Sequence, residues 1–327
     1  MQAVVLDKYG DVDVLQIKQV PVPKPGPTEV LVKVAATALN RADLLQRRGL
    51  YPGPEAEYEI PGIEFSGTIE SSGEAAKMYP HGTQVMGIVG GGGYAEYLVT
   101  DQQQIMPIPS GISLVDAVAI PEVWITAFDA LIDKGKLLPN QKCLIHAGGS
   151  GVGTAAIQIA KELGSEVAVT ASSPKLEICA QLGADLTIDY NQEDFVDKVK
   201  KWTNSIGVDV ILDVVGGDYL EKNLHCATTQ GRIVQVGAMG GGKSEINLGA
   251  VLQKRLTLIG TVLRSRSIEE KIVIAEAFKS RITPKFEDRS YKPVIDRYYS
   301  FHEIAEAHTY MESNKNIGKI IIEMPPN

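Results

Sequence analysis

The feature that most constrains this chain is the run CLIHAGGSGVGTAAIQIAKELG, residues 143–164, where a short apolar stretch passes into a glycine cluster and then an amphipathic helical pattern. Strand, tight turn and helix in that order open a dinucleotide-binding domain. The turn brings backbone N–H groups against a pyrophosphate at the positive end of the helix. Gly148, Gly149, Gly151 and Gly153 are expected to let the backbone turn sharply, and Gly153 also to let the helix pack close to the sheet. The candidate phosphate contacts are Gly149, Ser150, Gly151, Val152 and Gly153. The loop departs from G-x-G-x-x-G because Ser150 stands where the second glycine falls when Gly148 and Gly153 are the outer pair. A serine hydroxyl there is a donor for phosphate. No Lys-Ser or Lys-Thr follows, so the loop is not a Walker A motif. The other glycine cluster, VGGGGYAE at 89–96, reads as a flexible loop and receives no role.

The loop also fixes the organisation around it. After Pro121, apolar strand candidates alternate with helical stretches: CLIHA, EVAVTA, LTIDY, VDVILDVV, RIVQVGA and LTLIGTV are separated by segments with apolar residues at helical spacing. This alternation is the mark of βαβ units, and six parallel strands is the doubly wound count. Two of the helical segments end at glycine, as helix C-termini do. The first 120 or so residues read differently, as short strands broken by Pro and Gly, which suggests a small β-rich, barrel-like domain. The expected fold class is therefore α/β, a Rossmann sheet plus an N-terminal β-rich domain. A helix candidate, FHEIAEAHTYMESNK, and a final strand, GKIIIEM, form the tail.

Composition narrows the partners. The length of 327 residues suits two domains, and 44% hydrophobic with 22% charged residues is ordinary for a globular chain. A net charge of -8 with no long basic run argues against nucleic acid and anionic membrane surfaces. Cys143, Cys179 and Cys226 are isolated and odd in number, which fits a reducing compartment. The N-terminus has no signal-peptide pattern and no apolar run reaches membrane-span length, so a cytoplasmic address is expected.

Cofactor choice is read from the second strand. NAD-binding folds carry an acid about 20 residues past the loop to accept from the ribose 2′-OH. Here the strand in EVAVTASSPK ends without one, and Thr170, Ala171, Ser172 and Ser173 are followed by Lys175. Small hydroxylic residues and a lysine suit a 2′-phosphate, with Tyr190 closing the adenosine side. NADPH is the expected cofactor.

The segments NRADLLQRRGLYPGP and PGIEFSG, the loop HAGGSGVGTAAIQIA, the strand ILDVVGG, the run VLRSRS and the ending NKNIGKIIIE together resemble the medium-chain dehydrogenase/reductase superfamily. They are most similar to its zeta-crystallin-like quinone oxidoreductases, closest to the tumour-suppressor-inducible NADPH quinone oxidoreductases, and the likeness runs essentially end to end. It implies a GroES-like domain over 1–121 and 278–327, a Rossmann domain over 122–277, and catalysis in the cleft between them. It places Asn40 and Tyr51 at the substrate, with Tyr51 a donor to a quinone oxygen. Thr126 falls at the nicotinamide end, and Val236, Gly237, Leu263, Ser265 and Asn316 complete the cofactor contacts. It further implies that LTLIGTV is an exposed sheet edge that pairs with a second copy in a homodimer. Zinc relatives carry Cys or Asp where this chain has Asn40, and Gly-His-Glu where it has Gly62-Ile63-Glu64. No four-cysteine cluster lies between residues 85 and 120, and the five histidines lack ligand spacing, so no metal is expected. The expected function is zinc-independent, NADPH-dependent quinone reduction. Enone or enoyl reduction on the same scaffold, and a cofactor-binding accessory protein with incidental activity, are the alternatives.

Overall fold

Runs of β-branched residues interrupted by Pro and Gly become strands in the first part of the chain. In the computed structural model, which describes residues 1–325, β1 (Gln2–Val5) pairs antiparallel with β2 (Gln16–Gln19). Next come β3 (Glu29–Ala38), helix α1 (Arg41–Arg47), β4 (Glu64–Ser72), β5 (Gln84–Ile88), β6 (Tyr97–Asp101) and β7 (Ile105–Pro107). The four strands β3, β4, β5 and β7 join antiparallel in that order, and β6 adds to β3. Alternation along these strands sends Val32, Phe65, Ile69, Val85 and Leu98 into one core. Helix α2 (Pro121–Phe128) follows, opening on a proline, which needs no N–H partner in a first turn.

The second compact unit, Val123–Val262, contains β8 (Lys142–His146), α3 (Gly151–Glu162), β9 (Glu166–Ala171), α4 (Leu176–Gln181), β10 (Leu186–Asp189) and α5 (Phe195–Trp202). It continues with β11 (Val208–Asp213), α6 (Tyr219–Cys226), β12 (Ala227–Gln235), α7 (Leu248–Lys254) and β13 (Thr257–Gly260). All neighbours are parallel and the spatial order is β10-β9-β8-β11-β12-β13. This is the doubly wound 3-2-1-4-5-6 order, with β8 and β11 flanking the switch point where ligands bind. Leu144, Ala168, Ile211 and Ile233 fill the middle of the sheet. Gly164 and Gly183 follow α3 and α4 at φ 83° and 106°, the left-handed C-terminal stop expected of glycine.

Beyond Leu263 the chain belongs again to the first unit. It forms α8 (Ile268–Arg281), capped by Ser267 and Glu270, then α9 (Thr283–Glu287), β14 (Ile295–Ser300), α10 (Ile304–Glu312) and β15 (Lys319–Glu323). The tail strand β15 lies antiparallel to β3 and parallel to β14, so the first sheet has seven strands. The return comes at Leu263, earlier than the expected residue 278. Helix α8 packs with α9 and β7, and Ala275 and Phe278 bury in that unit, which draws residues 263–277 out of the Rossmann unit. The fold class is α/β, a Rossmann sheet and a β-rich domain, as the sequence implies.

Candidate nucleotide and substrate sites

The phosphate loop follows β8 at the switch point, but its turn is not made by the glycines. The left-handed residue is Ala147, at φ 56°, whereas Gly148, Gly149, Gly151 and Gly153 have ordinary φ. The glycines serve close approach instead. A Cβ on Gly153 would lie 2.3 Å from the Ala147 carbonyl oxygen, and one on Gly149 2.7 Å from Cδ of Lys175. The Lys175 stem therefore crosses directly over Gly149. Ser150 is the N-cap of α3, its Oγ accepting from the Gly153 N–H at 3.0 Å. That leaves the Ser150 proton for a ligand, and the N–H groups of Gly151 and Val152 have no intrahelical acceptor. These donors, the helix dipole and the missing Cβ atoms fit a pyrophosphate.

Below the loop, His146 is fully buried. Its Nδ1 lies 2.9 Å from Thr170 Oγ1 and its Nε2 2.7 Å from Asn223 Oδ1. The Asn223 amide donates to Asp213, 2.8 Å away, so Oδ1 is the acceptor and His146 must carry its proton on Nε2. Burial lowers its pKa, keeping it neutral. The Thr170 carbonyl accepts from the Gly148 N–H at 2.9 Å, and the network thereby supports the loop from beneath. Asp213 also accepts from the N–H groups of Val215 and Gly216, while its carbonyl accepts from Val236. This sets the backbone of Val236 and Gly237 just past β12. Thr126 is buried on α2. Ser172, Lys175 and Tyr190 stand past β9 and β10, with Tyr190 exposed.

Leu263, Ser265, Asn316, Asn40 and Tyr51 belong to the other unit. Asn316 is buried and its amide donates to the Gly318 carbonyl at 3.0 Å. Asn40 precedes α1, and its side chain is spent locally. The amide nitrogen donates to Glu64 at 2.7 Å and to the Ala38 carbonyl at 3.2 Å, while Oδ1 accepts from Lys319 at 2.8 Å. Lys319, only 3% exposed, also donates to Glu64 at 2.6 Å and to the Leu39 carbonyl at 2.9 Å. The second Glu64 oxygen accepts from the Glu122 N–H. The buried ammonium and carboxylate thus satisfy each other and fix the Asn40 amide between them.

Beside this cluster lies a second buried chain. Asp43 accepts from the Asn40 N–H at 2.8 Å and from the Tyr94 hydroxyl at 3.0 Å, and Tyr94 meets His308 Nε2 at 3.2 Å. Burial raises the Asp43 carboxyl to about 6 and lowers His308 to about 3. Tyr51 is half-buried. Arg264 holds it, donating to its carbonyl at 3.1 Å and placing the guanidinium 5.0 Å from the ring centroid. The same guanidinium donates to the Gly90 carbonyl and to Gln46, both at 2.7 Å. The glycine cluster set aside as a plain loop therefore anchors this arginine. Burial raises the Tyr51 phenol pKa against the lowering effect of Arg264. Within the described residues the Tyr51 hydroxyl has no partner.

Sequence reading missed Glu64 as a partner rather than a remnant, and it missed Lys319, Arg264 and Asp189. Lys319 had a signal, a single cation leading the apolar strand KIIIE. Glu64 and Arg264 had none at the level of spacing, because their partners are distant in the chain, and Asp189 stands in LTIDY with no local sign of its hydrogen bond to Ser173. Zinc does not fit the Asn40–Glu64 locus. Ile63 offers no ligand, and both polar side chains are bound to an ammonium. Among the described residues no group of three or more His, Cys, Asp or Glu is placed to hold a metal. Also among them, no helix is long and apolar enough to cross a membrane.

The sequence matches two protein-family descriptions, an alcohol dehydrogenase GroES-like domain over residues 26–110 and a zinc-binding dehydrogenase over 151–279. It is 30% identical to human quinone oxidoreductase, over 98% of this chain and 97% of that one. It is 33% identical to the synaptic vesicle membrane protein VAT-1 homolog of Danio rerio, over 99% of this chain and 70% of the relative. The Escherichia coli quinone oxidoreductase structure, complexed with NADPH, superposes with a TM-score of 0.90 at 26% identity, covering 99% of this chain and all of that one. The chain belongs to the medium-chain dehydrogenase/reductase superfamily, in its zeta-crystallin-like quinone oxidoreductase group. It is an oxidoreductase of that superfamily, and the strand, loop and helix at its switch point form a pyridine-nucleotide element.

Proposed function

We propose that the protein is an NADPH-dependent quinone reductase that works without zinc. The observation that carries the reading is Tyr51, whose hydroxyl has no partner among the described residues while Arg264 pins its ring and backbone. A bound nicotinamide supplies the hydride, so the protein's task is orientation and stabilisation of the charge that gathers on the acceptor oxygen. A phenol can donate to that oxygen without being a strong acid. Asn40 cannot share the role as a donor, because both amide hydrogens and all three Lys319 protons are already used. Asn40 then contributes shape at the substrate, and Tyr51 contributes the hydrogen bond.

In this reading Gly149, Ser150, Gly151, Val152 and Gly153 hold the pyrophosphate, and Ser172, Lys175 and Tyr190 the 2′-phosphate. Thr126, Val236 and Gly237 are assigned to the nicotinamide end, and Leu263, Ser265 and Asn316 to the remaining cofactor contacts. The human relative's name and the NADPH complex of the Escherichia coli protein support quinone and NADPH respectively. The protein is further proposed to pair with a second copy through β13, an edge strand whose Leu258 is 40% exposed, with Val262 just beyond the strand also exposed. An uncovered edge of this kind otherwise invites uncontrolled pairing.

The test is steady-state NADPH oxidation with 1,2- and 1,4-quinones against a panel of enones. A higher kcat/KM for quinones is expected. Higher values for the enones would replace this reading with C=C reduction, and tight NADPH binding with negligible turnover on every acceptor would make the protein a cofactor-bound accessory.

A further inference from the structure

The acid missing from the end of β9 has a counterpart one strand away. Asp189 closes β10 opposite Ala171, the last residue of β9, and the residue is only 5% exposed. One carboxylate oxygen accepts the Ser173 hydroxyl and the other accepts the Asn191 N–H at 3.0 Å. Ser173 stands between Ser172 and Lys175 in the chain, and Tyr190 directly follows Asp189. The residues assigned above to the 2′-phosphate are therefore chain neighbours of the Ser173–Asp189 pair.

We infer that Asp189 is a specificity-determining residue, which opposes the 2′-phosphate and keeps the site open to NADH as well as NADPH. This rests on the NADPH reading. Two effects work together. The carboxylate repels a dianionic phosphate placed against Ser172 and Lys175, and it holds the Ser173 hydrogen that would otherwise be offered to that phosphate. The Ser173 hydrogen bond, the largest influence on the carboxyl, holds it below the usual carboxylate range, so the charge is present at neutral pH. NADH lacks the phosphate and escapes both effects. Lys175 pulls the other way, and the balance between one cation and one anion sets a shallow preference rather than a steep one.

The test is fluorescence titration of the full chain with NADPH and NADH, for the wild type, Asp189→Asn and Ser173→Ala. Wild type is expected to favour NADPH by less than about tenfold. Asp189→Asn, isosteric and still able to accept from Ser173, is expected to raise that ratio about fivefold or more through tighter NADPH binding, with the gain shrinking at high salt. Ser173→Ala keeps the carboxylate and is expected to leave the ratio at or below the wild-type value. An unchanged or lower ratio in Asp189→Asn, with unaltered circular dichroism, overturns the inference while leaving the NADPH reading intact. Failure of the wild type to bind either nucleotide overturns both.

Discussion

Replacing His308 with glutamine is expected to make the protein more resistant to acid than the wild type. His308 is buried, and its folded pKa of about 3 lies below its ordinary 6.5. The unfolded chain thus takes up a proton below pH 6.5 that the folded protein refuses, and stability is lost as pH falls from 6.5 toward 3. Asp43 is the opposite case. Its folded pKa of about 6 lies above its ordinary 3.8, so between those values the folded protein keeps a proton that the unfolded chain has released. Stability from this group is gained as pH falls from 6 to 3.8. One pKa unit corresponds to roughly 1.4 kcal/mol, so each group contributes a slope of about that size per pH unit, with opposite sign. Between pH 4 and 6 the two slopes cancel across the Asp43–Tyr94–His308 chain. His308→Gln, whose amide can still donate to Tyr94, removes one of them. Relative to wild type it should gain roughly 2.5 kcal/mol as pH falls from 6 to 4, and Asp43→Asn should lose roughly 2 kcal/mol. Urea unfolding at half-unit pH steps reads both difference curves. Flat curves, or two curves of the same sign, refute the argument.

The remaining predictions concern the other buried groups. Lys319→Met leaves Glu64 charged and unpaired, which should cost about 3–5 kcal/mol in urea unfolding, and adding Glu64→Gln should recover much of it. Tyr51→Phe should lower kcat/KM for quinone about tenfold to a hundredfold with the NADPH Kd unchanged, because it removes one donor to developing charge. Arg264→Ala should raise the quinone KM, while Arg264→Lys, unable to hold three acceptors in one plane, should restore little of the loss. Leu258→Lys should shift sedimentation toward monomer.

Most of the Rossmann unit was legible because its signals are local. CLIHAGGSGVG announces strand, loop and helix within a few residues, and Gly164 and Gly183 end helices where the apolar pattern stops. The turn at Ala147 was not legible, since alanine has no preference for left-handed backbone; here its carbonyl accepts from the Ser150 N–H and the next N–H, of Gly148, donates to the Thr170 carbonyl. The unit-1 cluster was illegible for another reason. Asn40, Glu64 and Lys319 meet only because β15 returns beside β3, and Tyr94 and His308 lie 214 residues apart. Asp189 was visible in LTIDY, but its bearing on the cofactor depends on a hydrogen bond across strands. The return at Leu263 escaped because α8 has ordinary helical spacing, and nothing in its sequence says which unit it packs against.

Hydride transfer from NADPH to a quinone without zinc is open to a direct measurement. Its most direct test is the NADPH–quinone turnover rate of protein dialysed against a strong chelator and verified as metal-free, measured before and after zinc is added back. Full activity is expected in the metal-free protein, with no gain from zinc. Activity that disappears on chelation and returns with zinc would contradict it.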